Sequence, residues 1–225
     1  MLQLDQVSAG IAGVSVLRGI STRLAPGATV AIIGRNGAGK TTLLRAIMGL
    51  VPLQGGRALL AGQDLASIPP HKRTSLGIGY APEDRVLFPT FTVEENLRFP
   101  CGVMHMARPD IDRRMQEVLA IVPELEPMLK RSGAALSGGQ GKIAVLGRAL
   151  MVGTRLVLLD EPFQGLAPVL AARYAESLNR MHEVRPDLCI AITESNRSLL
   201  RDIPTMTLQL ERGALVMNGT KAASH

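Results

Sequence analysis

A chain of 225 residues, 46% of them hydrophobic, buries a substantial interior without covalent staples. Its two cysteines, Cys101 and Cys189, stand in no metal-ligand or redox spacing, which argues against a disulfide scaffold and a thiolate metal site and for reduced thiols in the cytosol. The formal charge of +6 suits an anionic partner, but two tyrosines, four phenylalanines and no tryptophan leave few platforms for stacking single-stranded bases.

The opening, MLQLDQVSAGIAG, lacks the basic and then apolar pattern of a secretory leader. No apolar run approaches the ~20 residues of a membrane-spanning helix. Leu2 to Val7 and Val14 to Leu24 are expected as antiparallel β-structure at an edge. Val30 to Gly34 reads as a buried strand, followed by Gly34-Arg35-Asn36-Gly37-Ala38-Gly39-Lys40-Thr41-Thr42 and an apolar helix, LLRAIMG. That order satisfies the phosphate-cradling pattern G-x-x-x-x-G-K-[ST] in its strand, loop, helix context. The glycines let successive amides face one anion, and the helix start adds its dipole. Lys40 is then expected on the β- and γ-phosphates, the Thr41 hydroxyl on Mg²⁺ and Thr42 on the α-phosphate. A bare glycine-rich turn would explain the loop alone, not its flanks, and the loop does not decide among a kinase, a GTPase and a motor.

Ile78 to Ala81 is a further strand. From about Leu87 to Gly147 the pattern turns helical, in VEENLRF, DIDRRMQEVLAIV and GGQGKIAVLGRALM, with Pro109 and Pro123 bracketing one helix. Within it, LSGGQ offers Ser137 as a helix N-cap, with Gly138 and Gly139 where side chains would block an anion. An ordinary capped helix accounts for Ser137 and one glycine, but not for the pair. The strand Leu156 to Asp160 ends in Asp160 and Glu161, at the end of a parallel strand where ligands of such sheets bind. Asp160 is expected to hold Mg²⁺ through water, and Glu161 to take a proton from a water lined up on the γ-phosphate. Cys189 to Thr193 is a fourth buried strand, with Ser195 at its polar mouth. Thr205 to Leu210 and Ala214 to Asn218 are expected as further antiparallel edge structure, and TKAASH as a frayed tail. The alternation of apolar runs and helical segments predicts an α/β fold with a mainly parallel sheet and an added β-layer.

With the P-loop, LSGGQ and LVLLDEP in that order, the chain resembles the ATP-binding subunit of ABC transporters over nearly its whole length. The resemblance implies a P-loop NTPase of ABC type: a core with an antiparallel β-layer over 1–86 and 148–225, and a helical subdomain over 87–147. It implies ATP and Mg²⁺ as cofactors and a head-to-tail dimer with an identical or different ATPase chain. In that dimer Ser137, Gly138, Gly139 and Gln140 grip the nucleotide on the partner's Gly34, Asn36, Gly37, Ala38, Gly39, Lys40, Thr41 and Thr42. It further implies two transmembrane permease subunits that meet the helical subdomain, indirectly an extracytoplasmic solute-binding protein, and a peripheral place on the cytoplasmic side of the bacterial inner membrane.

YAPEDRVLFPTFTVEENL, GRALM and GLAP look like the importers of branched-chain and other hydrophobic amino acids, amides or urea, whose second, shorter ATPase this chain is similar to. By the same resemblance Glu83 stands at the family's magnesium-contacting glutamine, Ile11 near its adenine-stacking aromatic, and Val16 at a second contact to the base. Gln164 to Ala167 form the loop that crosses to the other subunit. Ser195 stands at the family's histidine, which holds the base and the water in line. Serine is shorter, so Glu194 or Asn196 could stand in for it. Two readings follow, a working ATPase with Glu161 as base or an ATP-gated subunit whose hydrolysis is completed by another chain. A nucleic-acid-associated ABC ATPase is the outside rival, but it usually carries two cassettes or a coiled coil, so no nucleic acid is expected. A P-loop kinase would leave LSGGQ without a role.

Overall fold

The computed structural model describes residues 1–84, 86–200 and 203–216. Strands covered on both faces read as unbroken apolar runs, and these assemble one sheet. β3 (Thr29–Ile33), β6 (Ile78–Ala81), β7 (Leu156–Asp160), β8 (Cys189–Glu194), β9 (Met206–Glu211) and β10 (Ala214–Val216) lie in the order β10-β9-β3-β8-β7-β6. The register is parallel from β9 through β6, with Ile32 beside Thr193, Asp160 beside Thr193 and Tyr80 beside Leu158. A second sheet is antiparallel throughout, in the order β2-β1-β4-β5: β1 (Leu2–Ile11), β2 (Val14–Leu24), β4 (Leu53–Leu60) and β5 (Gln63–Asp64).

Period-two alternation divides the core. Val157 and Leu159 of β7 with Ile190 and Ile192 of β8 face one cluster, while Leu156, Leu158, Cys189 and Ala191 face the other. The first cluster is completed by α2 (Val93–Val103), α3 (Arg108–Ile121), α4 (Gly138–Val152) and α5 (Pro168–Val184). The second is completed by the antiparallel layer and by α1 (Lys40–Ile47), through Leu43, Leu44, Ala46 and Ile47. At about 1.5–3 kcal/mol for each fully buried large aliphatic side chain, these two layers hold the strand ends, and hence the site, in place. Among the described residues no helix is long and apolar enough to cross a membrane.

Three expectations change. Thr205 to Leu210 is not antiparallel to the core: β9 runs parallel to β3, and only β10 reverses against it. Alternation along β9 reports one solvated face and carries no information on direction. The strand β4 was not anticipated, because Gly55, Gly56 and Arg57 interrupt its apolar pattern. Gly56 takes φ +74 where a Cβ would stand 2.2 Å from the Gln6 carbonyl, at a register shift opposite β1. α4 runs unbroken across the expected boundary at residue 147, so the helical segment is fused to the sheet by a continuous rod. Residues 217 and 218 of the last expected strand, and TKAASH, lie outside the described residues. α3 starts with Pro109 in its first turn and ends before Pro123, as its brackets predict.

Candidate functional site

β3 ends at Ile33, and residues 34–39 carry the chain to α1. Gly39, with φ +106, is the N-cap, a conformation that a side chain would strain, and no side chain caps the amides of the first turn. Those donors therefore face a cavity of about 390 Å³ lined by Val16, Asn36, Gly37, Gly39, Lys40, Thr41, Thr42, Glu83, Glu161 and Gln164. Gly34 and Ala38 belong to the same loop.

Lys40 is buried, and its ammonium donates to the carbonyls of Gly34 (2.7 Å) and Arg35 (3.2 Å) and to Ser195 Oγ (3.1 Å) while pairing with Glu161 Oε1 at 3.0 Å. Glu161 sits one residue beyond β7 with φ +45, a left-handed conformation that costs a non-glycine residue about 1–3 kcal/mol. Its amide donates to Thr193 O and Oγ1, both at 3.1 Å, and its Oε2 accepts from the Ser195 amide at 3.2 Å. Burial pushes the Glu161 carboxyl up. The hydrogen bonds from Ser195 and Lys40 and the Lys40 charge outweigh it, so the group rests below the usual carboxylate range.

The Ser195 hydroxyl answers the question of what a small polar residue does at the mouth of β8. Its oxygen accepts from Lys40, and its single proton faces Glu161 Oε1 at 2.6 Å and Asn36 Oδ1 at 2.8 Å. The neighbours that could have stood in for it face elsewhere. Glu194 is buried and accepts the Phe163 amide at 2.9 Å, while Asn196 accepts from Ser198 within the turn that follows β8.

Asp160 accepts from three hydroxyls, Thr193 at 2.7 Å, Thr41 at 3.1 Å and Tyr80 at 3.3 Å. Burial raises its pKa against those bonds, as expected of a carboxylate desolvated beside a place for a cation. Thr41 and Asp160 present hard oxygens at one edge of the phosphate cavity with Glu83 exposed on its wall, a donor set that fits Mg²⁺, which keeps several of its waters. Tyr80 and Thr193 were missed by sequence reasoning. The only signal for either was a polar tip inside an apolar strand.

Two predicted contacts are placed differently. Ile11 does not line the phosphate cavity: it stands 47% exposed beside the β1–β2 turn, along a separate cleft of about 670 Å³ with Arg45, Leu50, Tyr80, Val86, Pro100 and Val152. Pairing of Ile11 with Val14 at the hairpin tip turns its side chain to the flank of α1, while Val16 reaches the cavity. The second correction concerns the glycine pair. A Cβ on Gly139 would lie 2.4 Å from Leu170 Cδ1 and 3.3 Å from Leu166 Cδ2, so this glycine admits close packing inside the chain rather than an approaching anion.

Ser137 caps α4 as expected, in a reciprocal box. Its Oγ accepts the Gln140 amide at 3.3 Å, and Gln140 Oε1 accepts the Ser137 amide at 3.0 Å. Gly138 lines another cavity, with Glu83, Asp84, Lys142, Gln164 and Gly165. None of Ser137 to Gln140 lines the phosphate cavity of its own chain.

The family model described as ABC transporter matches residues 17–164. The probable branched-chain amino acid transport ATP-binding protein LivF of Archaeoglobus fulgidus is 32% identical over 223 residues, covering 98% of this chain and 92% of its own. The high-affinity branched-chain amino acid transport ATP-binding protein BraG of Pseudomonas aeruginosa is also 32% identical, over 99% and 94%. An uncharacterized ABC transporter ATP-binding protein of Sinorhizobium fredii, y4fO, is 33% identical over 89% of this chain, which spans only 58% of that relative's length. Among solved structures, an ATP-binding subunit of an ABC transporter superposes with a TM-score of 0.84 at 28% identity, covering 98% of this chain and 90% of that one. A bacterial ABC transporter cassette solved as a dimer shares the fold, with a TM-score of 0.84 at 21% identity over 96% of this chain and 97% of that one.

Proposed function

The chain belongs to the ABC transporter ATP-binding family, and from that premise we propose that it hydrolyses ATP to power an importer of branched-chain or other hydrophobic amino acids or related amides. The observation that carries the reading is the Lys40–Glu161–Ser195 constellation at the uncapped start of α1.

The residues divide the work as follows. The amides of residues 37–41 and the Lys40 ammonium receive the β- and γ-phosphates, so Lys40 exchanges Glu161 Oε1 for phosphate oxygens. That exchange frees the Glu161 carboxylate, which is ionised at neutral pH, while the Ser195 amide and hydroxyl keep it oriented. Glu161 accepts the proton of a water whose oxygen attacks the γ-phosphorus, and ADP leaves as the bond to its β-phosphate oxygen breaks. Thr41 and Asp160 hold Mg²⁺, with Glu83 in reach through water, and the ion supplies charge neutralisation across the β- and γ-oxygens.

Ser137 to Gln140 reach a nucleotide only on a second chain, identical or different, which supports a head-to-tail pair. The cleft beside Ile11, Leu50, Val86, Pro100 and Val152 suits a short cytoplasmic helix of each of two permease subunits. This places the chain peripherally on the cytoplasmic side of the membrane, with an extracytoplasmic solute-binding protein acting indirectly. Glu161→Gln is the test. ATP binding is expected to persist while hydrolysis falls by roughly 10²- to 10⁴-fold, and wild-type turnover in that variant removes Glu161 from the base role. Copurified permease subunits are expected to stimulate the wild-type chain. Stimulation by DNA or RNA with no membrane partner recovered would overturn the transport reading.

A further inference from the structure

The catalytic carboxylate is held from a direction that neither the P-loop nor β8 supplies. Lys142, in the second turn of α4, donates from Nζ to the main-chain carbonyl of Glu161 at 2.6 Å. The approach is fixed by packing three residues earlier, where Gly139 lets Leu166 and Leu170 close on the same helix. Together these contacts pin α4 to the segment between β7 and α5 at two points. With the amide of Glu161 tied to Thr193, the ammonium on its carbonyl completes a grip on both ends of a residue that is otherwise strained at φ +45. The side chain of Glu161 is then the part free to turn toward Lys40 or a water. The Lys142 charge also acts on the buried Glu194, which is pushed up to about 8 first by burial and then by Glu161, with Lys142 opposing.

We propose that Lys142 is a positioning residue for hydrolysis: from the LSGGQ helix it fixes the backbone of the Glu161 base within the same chain. The proposal rests on the reading of Glu161 as base. It also ties the helix whose tip is offered to a partner's nucleotide to the base that serves the chain's own.

Steady-state hydrolysis by the full-length protein tests it, with ATP as the varied ligand. Lys142→Met keeps the aliphatic stem and removes the donor. It is expected to lower kcat roughly tenfold, less than the 10²–10³ of a group that touches the transition state directly, with KM for ATP within about twofold. Lys142→Arg, which restores a cationic donor, is expected to recover most of the loss. An unchanged kcat in Lys142→Met overturns the proposal, and so does a loss confined to KM or one that Lys142→Arg shares in full. If Lys142→Met does not fold, Lys142→Gln, with a donor on a shorter stem, is read by the same split of kcat from KM. Glu161→Gln run in parallel separates the two levels. Wild-type turnover there strikes the base assignment itself, whereas a dead Glu161→Gln beside an unimpaired Lys142→Met removes only the role of Lys142.

Discussion

Two helix starts in this chain carry glycines and face anion chemistry, yet they are finished differently. α1 begins at Gly39 with no side-chain cap, so its first amides are left to a ligand. α4 begins at Ser137 with a complete capping box, and Arg131 Nη1 adds a third bond to Gln140 Oε1 at 3.2 Å. The first start is incomplete without an anion. The second is satisfied by its own side chains, so an anion there must share donors already engaged. The contrast assigns primary affinity to the P-loop and a conditional, assembly-dependent role to the LSGGQ tip.

The sharpest way to break the comparison is Lys40→Ala. It removes the cation from the uncapped start and leaves Glu161 buried without its partner. Truncating one member of such a pair costs about 2–5 kcal/mol, and 1.4 kcal/mol is tenfold in affinity. ATP affinity of the isolated chain, measured by titration calorimetry, is expected to fall by about 100-fold or more. An equal fall on altering the α4 start instead would erase the distinction between the two ends.

Ser195→Ala is a smaller cut on the P-loop side. The Ser195 amide still reaches Glu161 Oε2, and Lys40 still reaches Oε1, so the base loses one of several supports. Turnover is expected to drop about tenfold, below the effect of losing a direct transition-state donor, with ATP affinity little changed. Ser195→His, which reaches further, tests the converse. A rate above wild type means that the serine limits turnover, and an unchanged rate means that its short bond to Glu161 already suffices.

What could be read in advance follows the range of the interactions. The P-loop is local, so its glycines, Lys40 and Thr41 were legible from spacing alone, as were the strands whose apolar runs stop at Asp160 and Thr193. Tyr80 and Lys142 act across strands or between α4 and the sheet, and no spacing along the chain encodes those approaches. Gly139 was misread because an absent side chain looks the same whether the neighbour is a phosphate or Leu170. Ile11 was misplaced because its side of a hairpin tip depends on the turn, not on its distance from the P-loop.

Ser137→Ala probes the self-capped end and carries the smallest expected effect. The Gln140 amide loses its acceptor, and an N-cap of this kind is worth about 1 kcal/mol, which in a chain of this size lowers Tm by roughly 2–4 °C. Because Ser137 does not line the phosphate cavity of its own chain, ATP affinity of the dilute monomer is expected to stay at the wild-type value. Turnover of the assembled pair should nevertheless fall, since the hydroxyl is then missing from the partner's γ-phosphate. A Ser137→Ala monomer that binds ATP more weakly would mean that the α4 tip serves nucleotide within one chain. If instead only Tm moves, and turnover of the assembly does not, the capping box is the whole of what Ser137 does.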